Sequence, residues 1–296
     1  MGYALRRVEA ILARNGTFMG SAADYRQASL VLLGVPLDAT ASYRPGARFA
    51  PARIRQVSEA LEEYSPVLDR ELAECPFYDA GDVLLPLGNL EESLARTEAV
   101  VSGVLADGKF PLIIGGDHLV TLPAVKAVFR RYPGLAVVQL DAHADLRDEY
   151  LGQKLSHATV VRRVVEVVGG QNVFQLGIRS VTREELLFAR SNTRLLAEEI
   201  FPLIDRLEGE LKGRPIYLTV DIDVLDPAFA PGTGTPEPGG RTPGELFAAL
   251  YRLAGLEVVG MDLVEVCPPY DHAEITSLLA AKVVREAVLS FAAPKK

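Results

Sequence analysis

Short runs of Leu, Val and Ile punctuate this chain: SLVLLG at 29–34, PLIIGG at 111–116, LAVVQLD at 135–141, NVFQLG at 172–177, PIYLTVD at 215–221 and EVVGMDL at 257–263. Runs this uniformly apolar suit strands covered on both faces rather than strands with one wet side. Segments with a 3.6-residue apolar period lie between them, at 51–64, 90–106, 123–132, 158–168, 243–254 and 273–291. Strand and helix in alternation predict right-handed βαβ units, hence an α/β fold of three layers with a mostly parallel central sheet. No linker-like stretch and no period of 20–50 residues interrupts the pattern. A single domain over 1–296 is expected, with residues 1–27 as an N-terminal extension packed on it.

Composition narrows the partners. With 49% hydrophobic residues the chain has material for a large core. Thirty-nine acids against 31 bases leave a net charge of −8, which argues against a nucleic-acid surface and for attraction of small cations. Cys75 and Cys267 are too few for a disulfide framework and fit a reducing compartment. Residues 1–18 break every apolar stretch with Arg or Glu, so neither a secretory signal nor a membrane span is expected. The location read from this is cytoplasmic.

Chemistry collects at strand ends. Three of the four histidines, His118, His143 and His157, stand in GGDH (115–118), DAHAD (141–145) and SHAT (156–159). Asp141, His143 and Asp145 alternate, as do Asp221 and Asp223 in DID. If the backbone stays extended, each set points to one side. Four aspartates emerging from strands this apolar would repel one another, and no Lys or Arg lies within either motif's core. Two divalent cations would balance the four charges, with His118 and His143 giving one imidazole to each. Oxygen-rich ligands of this kind suit Mn²⁺ better than structural Zn²⁺. Shared carboxylates would hold such ions about 3.5–4 Å apart, a spacing that activates a water between them.

Each motif also has a plainer reading. Asp-x-Asp after a strand is commonly a turn or a cap, and Asp117 can cap the helix that follows it. G-x-S-x-G, C-x-x-C and the phosphate-binding G-x-x-x-x-G-K-[ST] are missing from the sequence. Gly232, Gly234, Gly239 and Gly240 precede Pro and Thr, not a phosphate-cradling helix. The loop at 227–243 follows a strand, which is where an open α/β sheet places its ligands.

Together with SYRPGARFAPARIR (42–55), DIDVLDPAFAPGTGTPEPGG (221–240) and DLVEVCPPYDH (262–272), these motifs resemble the ureohydrolase family, which includes arginase and agmatinase, over nearly the whole chain. The resemblance implies a single arginase-like α/β/α domain, two Mn²⁺ per chain and hydrolysis of a guanidino group to urea. It implies one Mn²⁺ on His118, Asp141, Asp145 and Asp221 and the other on Asp141, His143, Asp221 and Asp223. It implies His157 as the proton shuttle to the leaving amine and Glu265 as the carboxylate that pairs with the substrate guanidinium. Elementary chemistry agrees, because a guanidinium stays protonated and must be fixed by a carboxylate, and a departing amine needs a proton. The plainer readings are a solvated helix-start residue for His157 and a salt-bridged core acid for Glu265. Thr235 and Asp226 are candidates to orient the site, and Asp226 before Pro227 is equally a turn former.

The substrate tail is read from 144–156, ADLRDEYLGQKLS, which is charged and has no Asn or Thr. That argues against an arginine head group. YRPGARF (43–49), EEYSP (62–66) and YDHAE (270–274) are similar to the bacterial agmatinase branch. A tail amine favours Asp148 or Glu149 and a tail carboxylate favours Arg147, so the loop leaves both open. The resemblance implies hydrolysis of agmatine to putrescine and urea, for polyamine biosynthesis, by a homotrimer or homohexamer. Its alternatives are aminopropylagmatine or 4-guanidinobutyrate as substrate, or a non-catalytic scaffold member.

Overall fold

The computed structural model describes residues 4–21, 24–196 and 208–293. Its strands are β1 (Leu12–Ala13), β2 (Leu30–Val35), β3 (Tyr64–Ser65), β4 (Arg70–Glu71), β5 (Phe77–Val83), β6 (Phe110–Gly115), β7 (Ala136–Leu140), β8 (Val173–Leu176), β9 (Arg194–Leu196), β10 (Ile216–Asp221) and β11 (Val258–Val264). Its helices are α1 (Ala50–Ser58), α2 (Leu90–Ala106), α3 (Thr121–Arg131), α4 (Val160–Val168), α5 (Arg183–Asn192), α6 (Pro243–Leu253) and α7 (Ile275–Phe291). Nine strands form one sheet in the order β1-β5-β2-β6-β11-β10-β7-β8-β9. Every pairing in it is parallel except β1 on β5, and β3 and β4 make a separate hairpin.

Alternate residues of β2 show why the strands carry no polar face. Leu30 and Leu32 belong to one buried cluster, with Ile54 of α1, Leu250 of α6 and Val284 of α7, whereas Val31, Leu33 and Val35 belong to a second, with Val100 of α2, Val125 of α3 and Val164 of α4. Two helical layers thus sandwich the sheet, the arrangement expected from the uniform apolar runs. Strand β5, FYDAGDV, departs from that rule: Asp79 and Asp82 are buried in it and both bind the buried Arg55, at 2.8 and 2.5 Å. At the chain's start, Ala4–Ile11 forms a 3₁₀ helix whose first N–H groups, Ala4 and Leu5, donate to the Asp107 carboxylate at 2.7 and 3.1 Å. The following β1 covers an edge of the sheet that would otherwise present unpaired backbone. Among the described residues no helix is long and apolar enough to cross a membrane. Cys75 and Cys267 are free and buried.

The chain leaves β6, skips two strand positions and enters β7; β10 and β11 later fill the gap. Registers Leu263↔Ile114, Asp221↔Val264 and Val220↔Leu140 bring the carboxyl ends of these four central strands level. The crevice above such a switch point is where this class of sheet binds ligands.

Candidate metal centre and its cavity

Three of the four level strands, β6, β7 and β10, end in a turn closed by an aspartate. Asp141 Oδ1 accepts the His143 N–H at 2.6 Å, Asp221 Oδ1 accepts the Asp223 N–H at 2.8 Å, and Asp117 Oδ1 accepts the Leu119 N–H at 3.1 Å. These side chains therefore converge by turning back on their own backbone. The extended-strand expectation is corrected here: β7 stops at Leu140, residues 222–224 are a 3₁₀ turn, and Asp145 has φ +52. Turn and ligand readings are not rivals, because Asp141 and Asp221 each spend one oxygen on the turn and turn the other inward.

The inward atoms surround His118. Its Nδ1 lies 3.0 Å from Asp141 Oδ2, 3.1 Å from Asp145 Oδ2 and 3.4 Å from Asp221 Oδ2. None of these is a hydrogen bond, so this buried nitrogen has no hydrogen-bond partner. Its Nε2 is 2.9 Å from Thr219 Oγ1; a proton donated there leaves the Nδ1 lone pair toward the carboxylates, the form a metal takes. A second group joins His143 Nδ1 to Asp223 Oδ2 at 2.8 Å and to Asp141 Oδ1 at 3.7 Å, and Asp223 Oδ2 is likewise buried without a hydrogen-bond partner. The ligand atoms of His118, Asp141 and Asp221 lie within 4.8 Å of one another, as do those of Asp141, His143 and Asp223, and Asp141 belongs to both groups.

Electrostatics points the same way. Burial and then the Asp223 charge push Asp141 up to about 7. Burial and the charges of Asp223 and Asp141 raise Asp221 well above the usual carboxylate range. Burial would raise Asp223 as well, but His143 draws it down to about 2, while the same pairing outweighs burial and raises His143 to about 11. The cluster is short of positive charge, and its orphaned oxygen and nitrogen donors fit two divalent cations.

A cavity of about 310 Å³ opens over this cluster. His118, His143, Asp145, Asp221, His157, Thr235 and Glu265 all reach it; Asp141 and Asp223 lie beneath, at 0% and 1% exposure. Glu265 stands one residue past β11 with φ +64, a conformation costly for a side-chain-bearing residue. It is held by N–H donation to Gly116 O at 2.9 Å and by Thr233 Oγ1 on its own carbonyl at 2.9 Å. Its Oε1 accepts the His118 N–H at 2.8 Å, and Oε2 faces Gly234, where an added Cβ would sit 3.1 Å away. Burial and then the charge of Asp117 push this carboxyl up to about 8.

The tail acids read from the sequence are placed elsewhere. Asp148 is exposed and binds Arg163 at 2.7 Å, and both Asp148 and Glu149 line a neighbouring surface cleft rather than this cavity. Arg147 does line it, as do Ser42, Tyr150 and Glu185. Glu185, 6% exposed, is the carboxylate that sequence reasoning missed. It caps α5 reciprocally with Thr182 and accepts the Leu146 N–H at 3.0 Å. The T-R-E-E spacing of a capping box was the signal available. Asp226 takes the turn role, accepting N–H groups of Ala228, Gly239 and Gly240 at 2.9, 2.7 and 3.0 Å.

The sequence matches the arginase family over residues 28–290. The chain belongs to the arginase family. Within that family it is 49% identical over 277 residues to an agmatinase of Bacillus subtilis (strain 168), covering 93% of this chain and 96% of that one. It is 40% identical over 270 residues to a mitochondrial guanidino acid hydrolase of Homo sapiens, covering 86% and 76%. The solved agmatine ureohydrolase of Thermoplasma volcanium superposes with a TM-score of 0.86 at 34% identity, covering 96% of this chain and 97% of that one.

Proposed function

We propose that this chain hydrolyses the guanidino group of agmatine to putrescine and urea, in the cytoplasm and as part of polyamine biosynthesis. The observation that carries it is the meeting, in one cavity, of the cation-poor aspartate cluster, a buried Glu265 and His157; the 49% identity to an agmatinase supports the substrate. Two Mn²⁺ would be held by His118, Asp141, Asp145 and Asp221 and by Asp141, His143, Asp221 and Asp223, and when bound would supply the Lewis acidity that makes a water nucleophilic at neutral pH. Glu265 binds the guanidinium fork and fixes its carbon over the cluster. His157 gives a proton to the amine nitrogen as the C–N bond breaks. Glu185 and Tyr150 line the cavity where the tail amine would lie, and Thr235 borders the guanidinium end.

A second reading, a guanidino acid such as 4-guanidinobutyrate, rests on Arg147, which lines the same cavity 4.0 Å from Glu185 and would receive a tail carboxylate. Urea release from the Mn²⁺-loaded protein, measured over agmatine, arginine, 4-guanidinobutyrate and aminopropylagmatine, decides between them. Agmatine should give the highest kcat/KM; a higher value for 4-guanidinobutyrate replaces the first reading with the second, and no urea from any of them returns the chain to a scaffold role. The proposed assembly is a homotrimer or homohexamer, and sedimentation showing a monomer at micromolar concentration overturns it.

A further inference from the structure

The loop after β2 places Ser42 on the cavity wall and sets Thr40 against His157. Gly116 N–H donates to Val35 O at 3.1 Å and Asp117 N–H to Leu37 O at 2.7 Å, which sews that loop to the GGDH turn. Asp117, whose Oδ1 closes the turn, gives its Oδ2 to Thr40 twice, accepting the backbone N–H at 3.1 Å and the hydroxyl at 3.0 Å. Thr40 Oγ1 in turn accepts the His157 N–H at 3.0 Å and lies 3.3 Å from His157 Nδ1.

A threonine hydroxyl has one proton and two lone pairs. Here the proton is committed to Asp117 and one lone pair to the His157 backbone. What remains for Nδ1 is a lone pair, which accepts a hydrogen and cannot supply one. Toward Thr40 the neutral ring is therefore served by a hydrogen on Nδ1, which leaves Nε2 bare at 3.3 Å from Ser42 Oγ, a hydroxyl on the cavity wall.

We infer that Thr40, anchored by Asp117, holds His157 in its Nδ1–H tautomer, so that Nε2 is the atom that takes up and delivers the proton. This rests on the reading of His157 as proton donor. Protonated Nε2–H passes its proton to the amine nitrogen as the C–N bonding pair moves onto that nitrogen; the ring returns to the neutral Nδ1–H form and Nε2 is reprotonated from water. Thr40 and Asp117 touch neither substrate nor metal ligand atoms in this scheme and are positioning residues. In the other tautomer, with Nε2 carrying the only hydrogen in the resting ring, the Nδ1 lone pair would face the lone pair of Thr40 Oγ1 and would depend on the longer contact to the Ser156 hydroxyl, 3.4 Å away.

Neutron diffraction of the deuterium-exchanged, metal-loaded protein at a pH above 8 reads the tautomer directly. Deuterium on Nδ1 with Nε2 bare is the expected result, and deuterium on Nε2 with Nδ1 bare overturns the inference without any variant having to fold. Thr40→Val should lower kcat roughly 10–100-fold with KM unchanged, and Thr40→Ser should recover most of that rate. If His157→Ala is inactive yet Thr40→Val turns over at the wild-type kcat, the positioning inference fails while the donor role stands. If His157→Ala itself keeps full kcat, it is the donor role that fails.

Discussion

Asp141 shows how much one side chain does in this site. One oxygen closes the turn through the His143 N–H and the other lies toward His118, where it also accepts the Gln139 side-chain amide at 2.6 Å. An Asp141→Asn substitution keeps an acceptor for the turn but removes a charge from both ligand groups. Metal analysis should then find both ions lost and kcat reduced by roughly 10³-fold or more, whereas Asp145→Asn, near His118 alone, should lose fewer ions. Two ions per chain and normal turnover in Asp141→Asn would remove the cluster from the mechanism. On the proposed role of Glu265, Glu265→Gln removes one charge-assisted contact to the substrate, so kcat/KM for agmatine should fall roughly 10–100-fold at an unchanged metal content. An unchanged kcat/KM leaves Glu265 as a structural acid. That the aspartates and histidines converge was legible in the sequence because several motifs of ligand-type residues stand at the ends of successive apolar strands. Glu185 and Thr40 were not, since a cap and a loop threonine acquire meaning only from what the fold sets opposite them.

Strands were legible where burial on both faces left nothing but Leu, Val and Ile. The six runs became β2, β6, β7, β8, β10 and β11, each displaced by no more than an end residue or two from its expected limits. Strand β5 escaped because a buried strand that carries Asp79 and Asp82 does not read as apolar; its charges are balanced by Arg55, which lies far away in sequence on α1. Helix α1 ends at Ser58, short of the expected Tyr64, which belongs instead to β3. Close backbone approach is the other thing a pattern cannot show. At Gly116 an added Cβ would sit 1.8 Å from Leu37 O and 2.7 Å from Leu37 C, and backbone on both sides leaves no rotamer to relieve it. Gly116→Ala should cost about 3 kcal/mol or more in urea denaturation and should also lower metal content, because the displaced turn carries His118. A cost within about 0.5 kcal/mol, typical of surface changes, would show that the two segments can separate freely.

For the molecule as a whole the cluster ties stability to metal and to pH. The chain carries a net charge of −8, and at its centre burial and mutual repulsion raise Asp141 to about 7 while burial and Asp117 raise Glu265 to about 8. Unfolded, the same groups titrate near 3.9 and 4.3. Between those values and their folded ones, the folded protein holds protons that the unfolded chain has released. The contribution of these two groups to the stability of the chelated protein therefore falls as pH rises through this interval, from about pH 4 to about pH 8. Cations replace those protons, so the gain in Tm on adding Mn²⁺ should grow as pH rises from 5.5 to 8.5, in the order that mass action on deprotonated ligands requires. Other acids titrate over part of the same range, and Asp141→Asn isolates the contribution: an amide cannot ionise, so the chelated variant should lose less Tm between pH 5.5 and 8.5 than the chelated wild type. Thermal scans of the two proteins with and without Mn²⁺ test this. Equal pH slopes for both would mean that Asp141 is already ionised across the range and paired by something other than a metal.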